Sequence, residues 1–560
     1  RRRLRRRAAR RPAARAVRAA DSRFPVGAEA LPLLRRLCQR LDGLPLALEM
    51  AAARVPLLGL QKVSQAVVER FAVLRHAQRD VPHRHRSLQA LLDWSYRLLT
   101  PEEQRLFRAL GVFSSAGFTL ELATSLLTDE DRWDTIDRIA LLVDRSLVAV
   151  DHADPPRYRL LETMRSYALA RLREAGEEAS VRVRQGAALT HLFAGVNALP
   201  REPANEAQRQ VAIDEMENVR ELLAWAREHD AALAVRLSAH VAGEASLLTW
   251  RAEAFSWLAA CEPLLAGAAA VEPRWRALWW RHFAAQTLLF SGKLAAVRAQ
   301  RATEICRDAG EPLNLAYALV YLSFALREPG PAVEAALAEA QGLIDAHPEW
   351  LTELRVLFLN AKARAGINAG DLQTPAGLLA EALELAVAAR LHTATRFTAM
   401  TLADVLRRTG RGEEGLALIE WGLHVIEAPL GLIAARCQLM RLRIEFELGR
   451  FDEARVDAVT ALELCRRFAL PDVYDVLALG LAHSGRPRTA ALLIGRSMQA
   501  RADRGALLSE ASESDVPRAT AIACEALDAN AFDDLVSRGR GTEDSEFERL
   551  FRSGRDHGDT

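Results

Sequence analysis

The residue types that most often carry out chemistry do not form a catalytic motif in this sequence. Neither His-Glu-x-x-His nor Gly-x-Ser-x-Gly occurs in its 560 residues, although these patterns would supply zinc ligands or a nucleophilic serine. His83 and His85 have the spacing of two metal ligands on a strand, but the pair lies among arginines beside Pro82. We therefore predict no catalytic residue and no metal site.

The sequence also lacks a phosphate-binding loop. Such a loop ends in Gly-Lys followed by Ser or Thr, because the loop backbone and the lysine hold the nucleotide phosphates. The lysines are Lys62, Lys293 and Lys362, and none of them precedes Ser or Thr. We therefore expect no cofactor in this chain, and neither hydrolysis nor tight binding of ATP.

A glycine and a proline interrupt an Ala/Leu-rich helical pattern near the N-terminus. Inside a helix, Gly43 would cost about 1 kcal/mol and Pro45 about 3 kcal/mol. The two residues therefore predict a corner, at which a helix that begins near Leu31 ends and another starts with Pro45 in its first turn.

Residues 81–175 combine helical patterns with one hairpin. Thr100-Pro-Glu-Glu103 predicts a capping box. Further helices are predicted from about Leu120 and Asp134, and strands at 147–150 and 157–160. Three helices and a hairpin make a winged helix. Its helix from about Asp134 to Val143 carries two acids and one base, which favours a switch element over a DNA reader.

Six blocks of the sequence resemble bacterial regulators of the signal-transducing P-loop ATPase class, which contain an NB-ARC module. The resemblance rests on the order and spacing of Gly43–Leu48, Arg84–Tyr96, Leu99–Gln104, Leu110–Phe113, Leu142–Val148 and Arg157–Ala168. Such regulators carry a DNA-binding domain and a nucleotide-binding core before the winged helix. The resemblance thus implies that the chain is the C-terminal portion of a larger switch protein, for which ATP or ADP would be the cofactor.

The resemblance implies roles for three residues. Gly43 and Pro45 would contact the nucleotide base. In animal and plant relatives, a His-Asp pair just after the second wing strand senses the phosphates, and Leu161 and Glu162 stand at those positions here. Glu162 is therefore at the phosphate-sensor position, where it could act electrostatically at a helix start, whereas the missing histidine argues against direct sensing.

Helical patterns continue almost to the C-terminus. Residues 176–275 are interpreted as a helical linker region, in which Glu217–Trp225 resembles the linking helix of the family. Beyond it, glycines recur at intervals of 38, 40, 40, 39 and 36 residues, at Gly292, Gly330, Gly370, Gly410, Gly449 and Gly485.

This period predicts tetratricopeptide-like helical hairpins over residues 276–500, with a glycine at each turn and a small residue such as Ala454 where the two helices cross. A helical bundle with accidental glycine spacing is the alternative. Residues 501–560 are predicted to form C-terminal helices and a tail.

Positive charge is concentrated at the N-terminus. Residues 1–20 hold ten arginines and no acid, which leaves the rest of a chain of net charge +1 with a net charge of −9. These residues are predicted to be a disordered tail that could bind nucleic acid weakly and without sequence preference. Arginine replaces lysine almost throughout the chain, so the run also has a purely compositional explanation.

Composition indicates the compartment. The six cysteines are widely spaced, without a Cys-x-x-Cys pair, which is typical of buried thiols in a reducing environment. No uninterrupted apolar run approaches about 18 residues, and no signal peptide is recognisable. We expect a cytoplasmic protein without membrane contact.

The predicted fold class is mainly α: a helical remnant of an NTPase module at 21–80, a winged helix with a small β-hairpin, and a tetratricopeptide-like α-solenoid. The predicted function is the regulatory and sensor portion of a nucleotide-controlled bacterial transcriptional regulator. The repeats would bind a signal or partner protein, the winged helix would relay it, and DNA would be contacted only through the missing N-terminal domain. Two alternatives stay open: part of an ATP-hydrolysing or otherwise catalytic signalling enzyme, and a freestanding repeat scaffold.

Overall fold

The computed structural model describes residues 32–36, 55, 59–69, 92–93, 96–127, 131–144, 147–151, 155–198, 206–245, 251–267, 271–288, 292–424, 432–467, 470–503 and 510–553. In these ranges the protein is mainly α-helical with one two-stranded sheet, which confirms the predicted fold class. The chain divides into two units, the first comprising residues 1–192 and 210–229, the second residues 193–209 and 230–560. The Arg-rich segment 1–20, Gly43, Pro45 and the His83/His85 pair lie outside the described residues.

The first unit contains the winged helix. Its elements in chain order are α1 (Leu60–Glu69), α2 (Pro101–Leu110), α3 (Leu120–Thr124), α4 (Arg132–Asp144), β1 (Ala149–Asp151), β2 (Arg157–Arg159), α5 (Glu162–Glu174), α6 (Glu178–Ala198), α7 (Glu206–Asp214) and α8 (Met216–His229). Helices α6 and α7 each have residues in both units. The predicted linker region 176–275 is therefore divided between the two units.

Helix α2 begins at the capping box that the sequence predicts. The Glu103 amide donates to the Thr100 hydroxyl at 3.3 Å, and the Thr100 amide donates to the Glu103 carboxylate at 2.8 Å. Two backbone donors at the helix start are satisfied in this way. Leu106, Phe107 and Leu110 are buried on the same side of the helix as Glu103, so the cap lies at the start of the core face of α2.

The hairpin is antiparallel, and Ala149 pairs with Arg159. Its first strand starts two residues later than predicted. Phe118 adds one bridge to Tyr158 of β2, so the segment between α2 and α3 is tied to the sheet. Gly117, at φ +90°, makes this possible, because a Cβ there would overlap the Tyr158 carbonyl oxygen.

The second unit is a succession of helices. They are α9 (Ala231–Ala245), α10 (Arg251–Cys261), α11 (Leu264–Gly267), α12 (Pro273–Thr287), α13 (Gly292–Asp308), α14 (Pro312–Ala325), α15 (Pro331–Ala346), α16 (Thr352–Asn368), α17 (Gln373–Ala388), α18 (His392–Arg408), α19 (Gly412–His424), α20 (Leu432–Glu447), α21 (Phe451–Arg467), α22 (Asp472–His483), α23 (Pro487–Ala502), α24 (Glu510–Ala526), α25 (Ala529–Gly541) and α26 (Asp544–Ser553). From α12 to α23 they form consecutive hairpins, each helix packed on the next.

The recurring glycines lie between the two helices of these hairpins. Gly370, Gly410, Gly449 and Gly485 have φ between +75° and +86°. At Gly410 the glycine amide donates to the Arg407 carbonyl and the Arg411 amide to the Leu406 carbonyl, which is the Schellman pattern that ends a helix. The first two glycines differ. Gly292 is the first residue of α13, and Gly330 caps α15 with extended backbone, at φ 172°.

Small residues sit where paired helices approach. Gly415 is five residues after Gly410, and a Cβ there would lie 3.0 Å from the Ala403 carbonyl oxygen. Ala454 is five residues after Gly449 and is fully buried. Gly410, Gly412 and Gly415 also have the spacing of a dinucleotide-binding loop. They follow a helix rather than a strand, so they lack the structural context of that site.

Replacement of Ala454 by Trp should separate α20 from α21. Overpacking a core costs about 1–3 kcal/mol, and each repeat rests mainly on its neighbours. Hydrogen exchange should therefore accelerate around residues 410–485 and stay unchanged in residues 96–175. The matched control is Glu453→Gln, at the exposed neighbouring position. Equal protection in the two variants would contradict the prediction that the two helices cross at Ala454.

Candidate relay site between the winged helix and helix α8

The turn at residues 111–117, which joins α2 to α3, is held by side chains from distant parts of the first unit. The Val112 carbonyl accepts hydrogen bonds from Arg182 at 3.2 Å and from Gln185 at 3.3 Å. These two residues are three positions apart on α6 and so share one face of that helix. Both are buried, and burial lowers the pKa of Arg182.

Asn218 of α8 makes hydrogen bonds to two backbone groups of the turn. The Ser114 amide donates to its Oδ1 at 2.7 Å, and its Nδ2 donates to the Gly117 carbonyl at 2.8 Å. The same amide nitrogen donates to Glu215 at 2.5 Å. Asn218 is fully buried. Its side-chain amide therefore takes the place of water as the partner of one backbone donor and one backbone acceptor of the turn.

A wing strand joins the same cluster. Arg157 of β2 forms an ion pair with Glu215 at 2.7 Å and donates to the Gly117 carbonyl at 3.0 Å. The Glu215 side chain is completely buried. Burial raises the pKa of Glu215, and the Arg157 guanidinium opposes that rise. The charge of Glu215 is thus compensated only while α8 and the hairpin stay together.

Helix α5 provides the last connection. Arg165 donates to the Phe113 carbonyl and forms an ion pair with Glu221 of α8. Burial raises the pKa of Glu221, and the positive charge of Arg165 opposes that rise. We call Arg157, Arg165, Arg182, Gln185, Glu215, Asn218 and Glu221, with the turn that they hold, the relay clamp.

The relay clamp suits mechanical coupling rather than catalysis. Its carboxylates are paired with guanidiniums, and its amides bind backbone groups. Leaving one such group buried without its partner costs about 1–3 kcal/mol, so the connections favour an all-or-none arrangement. Displacing α8 together with Glu215, the residue before it, would break bonds to β2, to α5 and to the turn at once.

The residues singled out in the sequence lie partly at this site. Glu162 is the first residue of α5, and its carboxylate lies 3.9 Å from the Arg165 guanidinium. It is therefore adjacent to the relay clamp. The N-cap of this helix is Leu161, which makes no side-chain capping bond.

Sequence reasoning missed the relay clamp itself. The segment Glu217–Trp225 resembles a linking helix, and Asn218 lies within it. No local pattern connects Asn218 with Ser114, because 104 residues separate them. The nearest available signal was the block Leu110–Phe113, which leads into the turn.

The described ranges contain no group of three or more His, Cys, Asp or Glu that could hold a metal ion. Among the same residues, no helix has the length and apolar character needed to cross a membrane.

Comparison with known proteins agrees with this architecture. Residues 99–173 match the winged helix-turn-helix domain family, so this part of the chain is a winged helix-turn-helix domain. The chain is also 42% identical over 199 residues to the "Putative HTH-type transcriptional regulator" of Mycobacterium tuberculosis (strain H37Rv), over 34% of this chain and 22% of the relative. "Regulatory protein AfsR" of Streptomyces coelicolor is 31% identical over 165 residues, 28% of this chain and 16% of the relative.

The predicted resemblance to bacterial transcriptional regulators is confirmed. The chain matches about a fifth of the length of these relatives or less. A crystal structure from Pyrococcus horikoshii is also similar. That structure is of a Signal Transduction ATPase with Numerous Domains protein with a tetratricopeptide repeat sensor. It is 12% identical in sequence, and the match has a TM-score of 0.45 and covers 97% of this chain and 72% of that chain.

Replacing Asn218 with Leu should release the turn. The variant leaves the buried Ser114 amide without its partner, which costs about 1–3 kcal/mol, and leaves the Gly117 carbonyl with Arg157 alone. Hydrogen exchange at residues 111–118 and in α8 should accelerate together. Glu217→Gln is the control, because Glu217 is exposed and its carboxylate accepts from Arg220, outside the relay clamp. Similar exchange in both variants would show that Asn218 does not hold the turn.

Proposed function

We propose that this chain is the regulatory and sensor part of a cytoplasmic, nucleotide-controlled bacterial transcriptional regulator. The relay clamp is the observation that carries the proposal, since it couples α8 to the winged helix through buried hydrogen bonds and ion pairs. Homology to one protein named as a putative transcriptional regulator and to another named as a regulatory protein supports a regulatory role. The nucleotide, ATP or ADP, would be held by a part of the parent protein that contains a phosphate-binding loop.

In this proposal the second unit receives the signal. Helical repeats form extended surfaces that commonly bind other molecules. The chain passes from α8, which ends at His229, directly into α9 of the second unit. A signal at the repeats that displaced α8 would therefore move the wing, α5 and the turn with it. The effect of the signal would be a shift between two arrangements of the regulator.

The exposed face of α4 favours relay over DNA reading. Winged helices often place this helix in the major groove of DNA, where positive side chains contact phosphates. Here α4 exposes Asp134, Asp137 and Asp144, and these acids would repel a phosphate backbone. Trp133 is 71% exposed and Leu141 43% exposed on the same helix. Exposed large apolar side chains among polar ones are typical of a surface that contacts protein.

The first test of the proposal is whether α8 and the winged helix open as one unit. Native-state hydrogen exchange at increasing denaturant should show residues 99–173 and 216–229 reaching a common opening free energy. Asn218→Leu should abolish this coincidence, and Glu217→Gln should preserve it. Exchange of α8 independently of the winged helix in the unmodified chain would refute the relay.

DNA binding by the chain should be weak, and independent of sequence. Fluorescence anisotropy with unrelated duplexes should give equal affinities, with a log–log salt slope of about −0.9 per phosphate neutralised. A chain beginning at residue 21 should lose this binding, because the ten arginines are removed. Sequence-selective binding that survives the truncation would assign DNA reading to the winged helix.

The chain should neither bind ATP tightly nor hydrolyse it. The loop and lysine that hold nucleotide phosphates are absent from its sequence. Calorimetry with ATP and magnesium should show no saturable heat, and phosphate release should stay at the level of a buffer blank. A micromolar dissociation constant would contradict this prediction and favour an enzyme.

A further inference from the structure

The two helices of each hairpin carry opposite charge in the middle of the second unit. In the hairpins from α16 to α21, the first helices are α16, α18 and α20, and the second helices are α17, α19 and α21. The first helices hold nine arginines and lysines and four acids, a net charge of +5. The second helices hold three arginines and nine acids, a net charge of −6. Because α18 packs on both α16 and α20, the positive charge of these hairpins is concentrated in one layer of adjacent helices.

Charged side chains of this layer share a helix face. Asp404 and Arg408 of α18 are four residues apart, and Arg443 and Glu447 of α20 have the same spacing. The second pair follows the first by 39 residues, which is also the interval between the glycines that follow the two helices. Equivalent positions of successive repeats therefore place both pairs on the same side of the layer.

Arginines outnumber carboxylates on this side. Asp404 forms ion pairs with Arg407 at 2.8 Å and with Arg408 at 2.9 Å. The carboxylate of Glu447 also pairs with Arg407, at 2.7 Å. Arg408 thus shares its carboxylate with Arg407, and its side chain is 39% exposed.

Two further arginines reach the same side. Burial lowers the pKa of Arg364 of α16, against the effect of Asp404. The positive charges of Arg408 and Arg436 lower it further. Arg436 is seven residues before Arg443 on α20 and so lies on the same face of that helix. The Arg436 guanidinium has no ion-pair partner among the described residues, and the side chain is partly exposed. We call Arg364, Arg408, Arg436 and Arg443 the arginine face.

The chain itself places one carboxylate on the arginine face. Asp515 of α24 forms an ion pair with Arg443, and its side chain is only 5% exposed. Burial raises the pKa of Asp515, and the positive charge of Arg443 opposes that rise. Arg436, about two turns earlier on α20, has no such partner among the described residues. A carboxylate from an approaching helix thus fits beside α20, and Arg436 can take another one.

We propose that the arginine face binds an acidic segment of a partner protein. Carboxylates of the segment would pair with Arg364, Arg408 and Arg436, next to the place that Asp515 occupies. Charge complementarity of this kind directs association and selects partners. A nucleic acid fits less well, because the carboxylates of Glu447 and Asp515 on the same side would repel a continuous phosphate backbone. As an account of the signal, this inference rests on the proposed sensor function; as a binding surface, it rests only on the charges.

Fluorescence anisotropy with a labelled acidic peptide tests the surface. The probe is a dodecapeptide that repeats Glu-Ala-Leu-Glu, and its counterpart repeats Gln-Ala-Leu-Gln. The acidic peptide should bind with a dissociation constant below about 100 μM, and added salt should weaken the binding. The glutamine peptide should bind at least about tenfold more weakly. No saturable binding of the acidic peptide, or equal affinities for the two peptides, would overturn the proposal.

A charge reversal on the arginine face locates the binding. Arg436→Glu should weaken binding of the acidic peptide at least about tenfold, because it replaces an attracting charge by a repelling one. Arg488→Glu is the matched control, since Arg488 is exposed on α23, the second helix of its hairpin. Neither arginine has an ion-pair partner among the described residues, so both variants should keep the thermal stability of the unmodified chain. Equal weakening in both variants would place the peptide elsewhere and refute the site.

A crosslink distinguishes the arginine face from the N-terminal arginines. Residues 1–20 hold ten arginines, which could also attract an acidic peptide. A photoreactive benzophenone group in the peptide should label residues 352–447. Labelling of residues 1–20 alone would contradict the proposal.

A labelled DNA duplex distinguishes the two kinds of partner. DNA binding should be unchanged in Arg436→Glu, because residues 1–20 are the expected DNA contact. Equal loss of DNA and peptide binding in this variant would assign the face to nucleic acid, against the proposal.

Hydrogen exchange with bound peptide separates this inference from the proposed function. Binding at the arginine face with faster or slower exchange in residues 99–173 would support both. Binding without any change there would support the surface and count against the relay. Failure to bind would overturn the surface alone, because the relay clamp consists of other residues.

Discussion

The backbone of the turn between α2 and α3 is the constraint on which the first unit depends. Its polar groups cannot all join a helix or a sheet, and buried backbone groups need partners. The carbonyls of Val112, Phe113 and Gly117 and the amide of Ser114 find them in side chains from β2, α5, α6 and α8. Because those elements follow the turn by about 40 to 100 residues, the local geometry of one turn fixes the arrangement of much of the unit.

Features with a local cause could be predicted from the sequence. The capping box at Thr100 needs only residues 100–103, and the glycines at 370, 410, 449 and 485 end helices through backbone conformations that glycine adopts readily. Gly292 and Gly330 share the period without that conformation. At Gly330, a proline on each side in the sequence Pro329-Gly-Pro331 provides another way to end one helix and start the next.

Features with a distant cause could not be predicted. The pairing of Asn218 with Ser114, and of Arg157 with Glu215, depends on how the chain returns to the winged helix after α7. In a helical pattern, every polar residue is predicted to face solvent. A buried arginine or asparagine therefore cannot be told from an exposed one by sequence. For the same reason, the linker region looked uniform in sequence although its residues pack in two different units.

The two units resist change by different physical means. In the repeats, small residues pack closely at the helix contacts, as at Ala454, at Gly415, and at Gly480, where a side chain would overlap Phe446. Such contacts can adjust slightly at each of many places, because every repeat contacts mainly its neighbours. The relay clamp depends on directional bonds between buried groups, which are either made or broken. The winged helix unit, which precedes the repeats in the chain, therefore lacks the gradual freedom that the repeats have.

This difference limits how a signal could act. An effector shifts an equilibrium only by its differential affinity for two states, and a thousandfold preference corresponds to about 4 kcal/mol. Separating α8 and the preceding Glu215 from the winged helix would leave the Ser114 amide and the Glu215 carboxylate without their partners, each at a cost of about 1–3 kcal/mol or more. A signal of ordinary strength would therefore leave the relay clamp intact and displace α8 together with the winged helix. The rearrangement that controls the regulator must then occur where fewer buried polar groups lose their partners, outside the relay clamp.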